Sequence, residues 1–203
     1  MRFRALAPFL VVLSFLASHP IAALARPVTA QLVPQGVVVL LQIRSVPELR
    51  SRWQGTALGQ MTQDSQIKPL VDSLYGSALE ALAPVQQRLG IPPERLLALP
   101  TGEFTFALVM PDEGRPAPLI VLDVGENLPE ALGALDKAGV SLAEQGAERT
   151  EQIVGDTKLV VFRFPGDRSP IAWFERESTI VLSPNVALLE EVAGAWNGKS
   201  LSK

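Results

Sequence analysis

The sequence predicts an α+β fold: a mostly antiparallel sheet with a long kinked helix and shorter helices packed on one face. Three observations predict it. From Glu103 the apolar residues alternate with a period of two, as a half-buried strand requires. Short turn sequences such as Gly155-Asp156 separate apolar runs, so neighbouring strands pair as hairpins. Between residues 67 and 89 the apolar residues instead recur at three- and four-residue steps, the stripe of an amphipathic helix.

Gly36 opens Val37–Ile43, β-branched and apolar on both faces, which reads as a central strand. Ser45 followed by Pro47 and Glu48 gives an N-cap with proline in the first turn, so a short helix runs to about Trp53 and stops at Gly55. A second helical turn covers Ala57 to Met61. The long helix carries Ile67, Leu70, Val71, Leu74, Ala78, Leu82, Val85 and Leu89 on one stripe, kinks at Pro84 and ends at Gly90. At roughly 34 Å it is long enough to cross a sheet. Pro92-Pro93-Glu94 begins a brief helix to Leu99.

Phe104, Phe106, Leu108 and Met110 point one way along the next strand, with Thr105, Ala107 and Val109 the other. Its partner runs from Pro118 to Val124 across a turn containing Asp112-Glu113-Gly114. Asn127 and Glu130 resemble a capping box, for a helix from Leu128 to Ala138 ended by Gly139. Arg149–Val154 and Thr157–Phe164 form a tight hairpin, and Ile171–Phe174 with Thr179–Leu182 form another. Ser183-Pro184 opens a last helix with Leu188, Leu189, Val192 and Trp196 on one side. Val37–Ile43 and Leu159–Phe164 are apolar on both faces, and one helical layer covers one face. A protein partner or second domain is therefore expected on the other.

The first residues have the order of an export signal: Arg2 and Arg4, an apolar stretch, then Ala23-Leu24-Ala25 with small residues at both positions a signal peptidase reads. Residues 1–25 are read as a signal peptide cut after Ala25, residues 26–35 as a loose leader, and residues 36–203 as a single domain. Val28-Thr29-Ala30 offers a second cut. Uncleaved, Ala5 to Ala25 is just long enough to anchor the chain, which is the one expected membrane contact. The location expected is periplasm, cell envelope or medium. Removing residues 1–25 takes away two of 18 basic residues and no acidic ones, making the chain two units more negative than its full-length net charge of −3. A mildly acidic chain without a Lys/Arg cluster is a poor fit to nucleic acid.

The residue inventory narrows the chemistry further. There is no cysteine, and His19, the one histidine, lies within the signal. Zinc, haem and iron–sulfur ligation and the Ser-His-Asp or Cys-His arrangements all need one or the other. No G-x-G-x-x-G or G-x-x-x-x-G-K-[ST] loop is present, so no cofactor is expected. Carboxylate, Ser-Lys or Tyr/Arg chemistry remains for an enzyme.

Gly55-Thr56-Ala57-Leu58-Gly59, the stretch from Gln66 to Leu74, Leu97 through Glu103, Leu119 to Gly125 and Thr179 to Leu189 resemble a planctomycete-type family of exported bacterial proteins known only as a domain of unknown function. These stretches span most of the chain but mark strand–helix boundaries rather than a catalytic signature. The resemblance implies that this chain is the N-terminal unit of a larger, repeat-containing protein, or a shortened relative. It carries over no functional residue.

The catalytic candidates are Glu103 and Asp123, which fall on adjacent antiparallel strands where two carboxylates at the right spacing serve glycoside hydrolysis. The plainer expectation is that Glu103 ends a turn and Asp123 sits at a strand edge or caps a helix. Trp53, Trp173 and Trp196 are candidate sugar platforms that also suit core positions. Lys68, Lys137 and Lys158 fall on polar faces, which argues against a Ser-Lys pair. The loops Asp112–Pro118 and Pro165–Pro170 mix charge with Gly and Pro, which suits plain turns as well as binding surfaces. The functional expectation is an exported, non-enzymatic binding or envelope-assembly module; the alternative is a secreted hydrolase using paired carboxylates.

Overall fold

The computed structural model describes residues 29–34, 36–61, 64, 69, 73, 95, 98–110 and 116–198. The signal segment, the helix expected over residues 67–89 and the turn 111–115 lie outside the described residues, apart from isolated positions.

Seven strands form one antiparallel sheet: β1 (Val37–Ile43), β2 (Phe104–Val109), β3 (Ala117–Asp123), β4 (Glu148–Val154), β5 (Thr157–Arg163), β6 (Ile171–Arg176) and β7 (Thr179–Ser183). Their spatial order is β1-β2-β3-β7-β6-β5-β4. Two meanders, β1 to β3 and β4 to β7, therefore meet where β3 pairs β7. Among the described residues the helices with stated bounds are α1 (Thr29–Leu32), α2 (Val46–Gly55), α3 (Ala57–Met61), α4 (Leu128–Glu144) and α5 (Val186–Trp196). The fold is α+β, as the alternating period and the hairpin turns predict.

The helices do not share one face. Opposed residues of an antiparallel pair point to the same side, so the register sorts the sheet cleanly. Leu159, Val161, Ala172, Phe174, Val181, Leu119 and Val121 lie on one side, packed with Leu188, Leu189, Val192 and Trp196 of α5. Val160, Phe162, Trp173 and Leu182 lie on the other, against Leu135 and Leu142 of α4. In place of the single helical layer expected, the two apolar faces of β5, β6 and β7 are each covered by a helix of the same chain.

The expected central strand Val37–Ile43 is instead the sheet edge. Its side chains from Val38 to Leu41 are 47–60% exposed. Apolarity on both faces registers what a strand is able to bury, not where it sits. The opposite edge, β4, is charged, with Glu148, Arg149 and Glu151 along it. That guards an edge against stray pairing.

Three local readings change for identifiable reasons. The leader is anchored over its described part: Leu32 of α1 is fully buried in the α5 core, so residues 29–34 are not loose. Gly139 does not end α4, which runs to Glu144 and stops before Gly146 at φ +85°. Gly139 lies over Phe162, where an added Cβ would come within 3.1 Å of the ring, so the glycine permits close approach of helix to sheet. Asn127 makes no side-chain cap to α4. Its amide donates instead to the Leu99 carbonyl at 3.2 Å, tying the strand-to-helix turn to the segment before β2. The cap of the last helix is Asn185, whose side chain accepts from the Leu188 amide at 3.1 Å. Ser45 caps α2 as expected, accepting from the Glu48 amide at 3.2 Å. Beyond α5, Asn197 donates to the carbonyls of Val154 and Ala193 and accepts from Arg176, which also donates to Thr157. One side chain thereby joins the helix end, the β4–β5 turn and the end of β6.

Candidate functional site

The two candidate residues are backbone neighbours. Glu103 immediately precedes β2 and Asp123 ends β3; the Asp123 amide donates to the Glu103 carbonyl at 2.8 Å. The register continued from Phe104 and Leu122 sets them opposite each other on the α5 side of the sheet. Around them the backbone is knotted. The Asp123 carbonyl accepts from the amides of Thr101 at 3.0 Å and Gly102 at 3.2 Å. The Gly102 carbonyl in turn accepts from Val46 at 2.9 Å, at the start of α2.

Each carboxylate is held by donors of its surroundings. Glu103 Oε1 accepts from Gln42 Nε2 at 2.5 Å and Thr105 Oγ1 at 3.1 Å, which links β1 to β2. Asp123 Oδ1 accepts from the Gly125 amide at 3.2 Å, closing the turn into the short 3-10 segment Gly125–Asn127. Gly102 lies directly against the Asp123 carboxylate, leaving no space for a side chain there. Buried Thr179 stands opposite Asp123 on β7. The two residues therefore sit side by side with each carboxylate turned to its own donors, and together with the Gly102 turn they fasten three strand ends and the start of a helix. The role of Gln42, 61 residues from Glu103, had no local signal in the sequence.

The tryptophans do not form one platform. Trp173 stacks on Phe162, with centroids 5.2 Å apart, on the α4 side. Trp196 meets Phe174 edge-on at 6.0 Å on the α5 side. Trp53 stands half-exposed on α2, which buries none of its residues. The buried Trp196 indole N–H has no hydrogen-bond partner among the described residues.

Between α4 and strands β4 to β6 runs an open groove of about 420 Å³, lined by Leu135, Asp136, Gly139, Val140, Arg149 and Trp173 among others. Trp173 and Phe162 are almost wholly buried at its floor, so their faces are spent on the core. At its lip, Arg149 Nη2 lies 2.6 Å from Glu151 Oε1, and Lys158 Nζ lies 3.4 Å from the same oxygen. The Arg149 hydrogen bond, aided by the Lys158 charge, lowers the Glu151 carboxyl from its ordinary 4.5. Because the folded value is depressed, any stabilisation from this pair is present at neutral pH and lost as pH falls through the acid range below 4.5. Arg149→Ala is expected to return the Glu151 midpoint toward 4.5, read from a carboxyl-carbon NMR titration. An unmoved midpoint would mean that the pair does not persist in solution. Elsewhere on the surface, Lys158 is solvated apart from this contact, and Arg168 covers the Phe164 ring at 4.4 Å in the 165–170 loop.

Among the described residues no three or more Asp, Glu, His or Cys side chains gather to hold a metal ion, and no helix is long and apolar enough to cross a membrane. No protein-family model, curated protein or solved structure matches this chain.

Proposed function

We propose that the protein is an exported, non-enzymatic module that acts by binding a protein partner, as part of a cell-envelope assembly, through the β1 side of its sheet. One observation carries the reading. Val38, Val39, Leu40 and Leu41 stand half or more exposed on an edge strand, next in sequence to a helix that buries nothing, while β5 to β7 are covered on both faces. Soluble monomers seldom leave such an edge open. Export enters from the N-terminal signal pattern, and membership of the planctomycete-type family is part of the same proposal.

The paired carboxylates keep a second reading in place: a secreted hydrolase in which Glu103 and Asp123 share a substrate. It is favoured by their placement on one face of adjacent strands. Against it, both carboxylates already accept hydrogen bonds, Glu103 from Gln42 of β1 and Thr105 of β2 and Asp123 from the turn after β3. The deciding experiment is an assay of the purified protein on glycan and ester panels, beside Glu103→Gln and Asp123→Asn. The module reading expects no saturable turnover, and a modest stability loss in both variants. Saturable hydrolysis abolished by either substitution in a folded protein overturns it.

A further inference from the structure

We infer that Asn197-Gly198 is a self-modification site gated by folding. In the open chain the Gly198 nitrogen attacks the Asn197 side-chain amide and expels ammonia; in the folded chain the same groups are held out of reach. The inference is independent of what the β1 edge binds.

The chain has three asparagines, Asn127, Asn185 and Asn197, followed by Leu128, Val186 and Gly198. A leucine or valine side chain shields the nitrogen of its own peptide bond, and a β-branched one also stiffens the backbone. Glycine does neither, so the open chain reaches the reactive geometry most readily at residue 197. The step needs only the chain and solvent water. The Gly198 nitrogen bonds to Asn197 Cγ, the Cγ–Nδ2 bond breaks, and the proton of the attacking amide leaves on the ammonia. Water then opens the five-membered imide at either carbonyl. One product has aspartate at 197; the other is isoaspartate, whose main chain runs through the side-chain carbons.

Every participant in that step is engaged in the fold. Asn197 Nδ2 donates to the Ala193 carbonyl at 3.0 Å and the Val154 carbonyl at 3.3 Å. Its Oδ1 accepts from Arg176 Nη1, which also donates to Thr157 Oγ1 at 3.0 Å, and Thr157 is buried. The nucleophile is occupied as well, since the Gly198 amide donates to the Ala195 carbonyl at 3.0 Å. Asn197 has ψ 13°, which nearly eclipses the Gly198 nitrogen with the Asn197 nitrogen and keeps it away from Cβ. Ring closure demands the eclipse of that nitrogen with Cβ instead. The β4–β5 turn closes over the amide: a Cβ added at Gly155 would stand 2.5 Å from Nδ2.

The same contacts make the change one-way for the fold. An aspartate at 197 has no hydrogen to donate, so the Val154 and Ala193 carbonyls lose a donor and face a carboxylate. Arg176 is the one partner of this side chain that suits the product. Isoaspartate adds a main-chain atom at the helix end and displaces the side chain altogether. A chain left open long enough therefore acquires a lesion at the residue that ties α5 to the β4–β5 turn and the end of β6.

The test holds the purified full chain at mildly alkaline pH, folded or in guanidinium chloride, and reads each asparagine by peptide mapping and mass spectrometry. In denaturant, Asn197 is expected to convert well ahead of Asn127 and Asn185, which serve as internal controls. In the folded chain its conversion should be slower by about tenfold or more, because only the locally opened fraction reacts. Equal rates in the two conditions, or conversion at Asn127 or Asn185 as fast as at Asn197 in denaturant, overturn the inference. Arg176→Ala should speed conversion in the folded chain and leave the rate in denaturant unchanged. Thr157→Val, which removes only the second acceptor of Arg176, makes the same test with a smaller disturbance. An unmoved folded-state rate in a variant with native circular dichroism overturns the Arg176 contact as part of the gate. Asn197→Asp should lower the melting midpoint by about 3 °C or more. A midpoint equal to that of the wild-type chain overturns the one-way character of the change.

Discussion

Phe174→Ala is expected to lower stability by about 3–5 kcal/mol, the cost of removing a fully buried ring from a core that closes only partly behind it. Phe174 is inaccessible to solvent, sits opposite Leu159 and Val181, and meets Trp196 edge-on. It is where the sheet seats α5, so truncation removes ring contacts on both sides of that interface. For a chain of this size each kcal/mol corresponds to roughly 2–4 °C, so the melting midpoint should fall by about 6–20 °C. Thermal unfolding followed by near- and far-UV circular dichroism measures this directly. Ile153→Ala, on the exposed edge, is the control and should stay within about 0.5 kcal/mol. A loss below about 1 kcal/mol for Phe174→Ala would mean that α5 does not seat on this face.

Gly36→Ala is expected to cost about 2–4 kcal/mol, through backbone rather than core. Gly36 holds φ at +84°, where an L side chain is strained, and its added Cβ would stand 2.5 Å from the Met110 carbonyl oxygen. That oxygen belongs to main chain at the end of β2 and cannot swing aside. The Gly36 carbonyl also accepts from the Met110 amide at 2.8 Å, so one substitution strains the first rung between β1 and β2. Hydrogen exchange should show β1 amides losing protection while β5 to β7 keep theirs. Uniform loss across the sheet would instead mean that β1 unfolds only with the whole.

The local elements were legible because their causes are local. The Ser45 cap, the Gly155-Asp156 turn and the alternation along β2 each depend on residues a few positions apart. What escaped was decided by distant neighbours. Val37–Ile43 and Leu159–Phe164 look alike as strings, yet one lies at an edge and the other under two helices. The difference arises from β7 pairing with β3, contacts about 60 residues apart that no local pattern encodes. Gly139 reads as a helix stop until Phe162 is known to lie beneath it. The juxtaposition of Glu103 and Asp123 was foreseeable from hairpin register, but not the donors that hold them, since Gln42 and the Gly102 turn arrive from other parts of the chain.

The meeting of the two meanders at β3 and β7 has a consequence for the order of events in folding. β7 is the last strand in the chain, yet it occupies the middle of the sheet, with three strands on each side. Until Thr179–Ser183 has been delivered, β1 to β3 form a three-stranded fragment open along β3, unjoined to β4 through β6. A chain released from its N-terminus, by a ribosome or through a translocation channel, therefore leaves this sheet incomplete until Ser183 has emerged. Loop closure between β3 and β7 becomes the slow step. Such a polypeptide remains threadable until that strand arrives, and the seven-stranded sheet becomes compact only then.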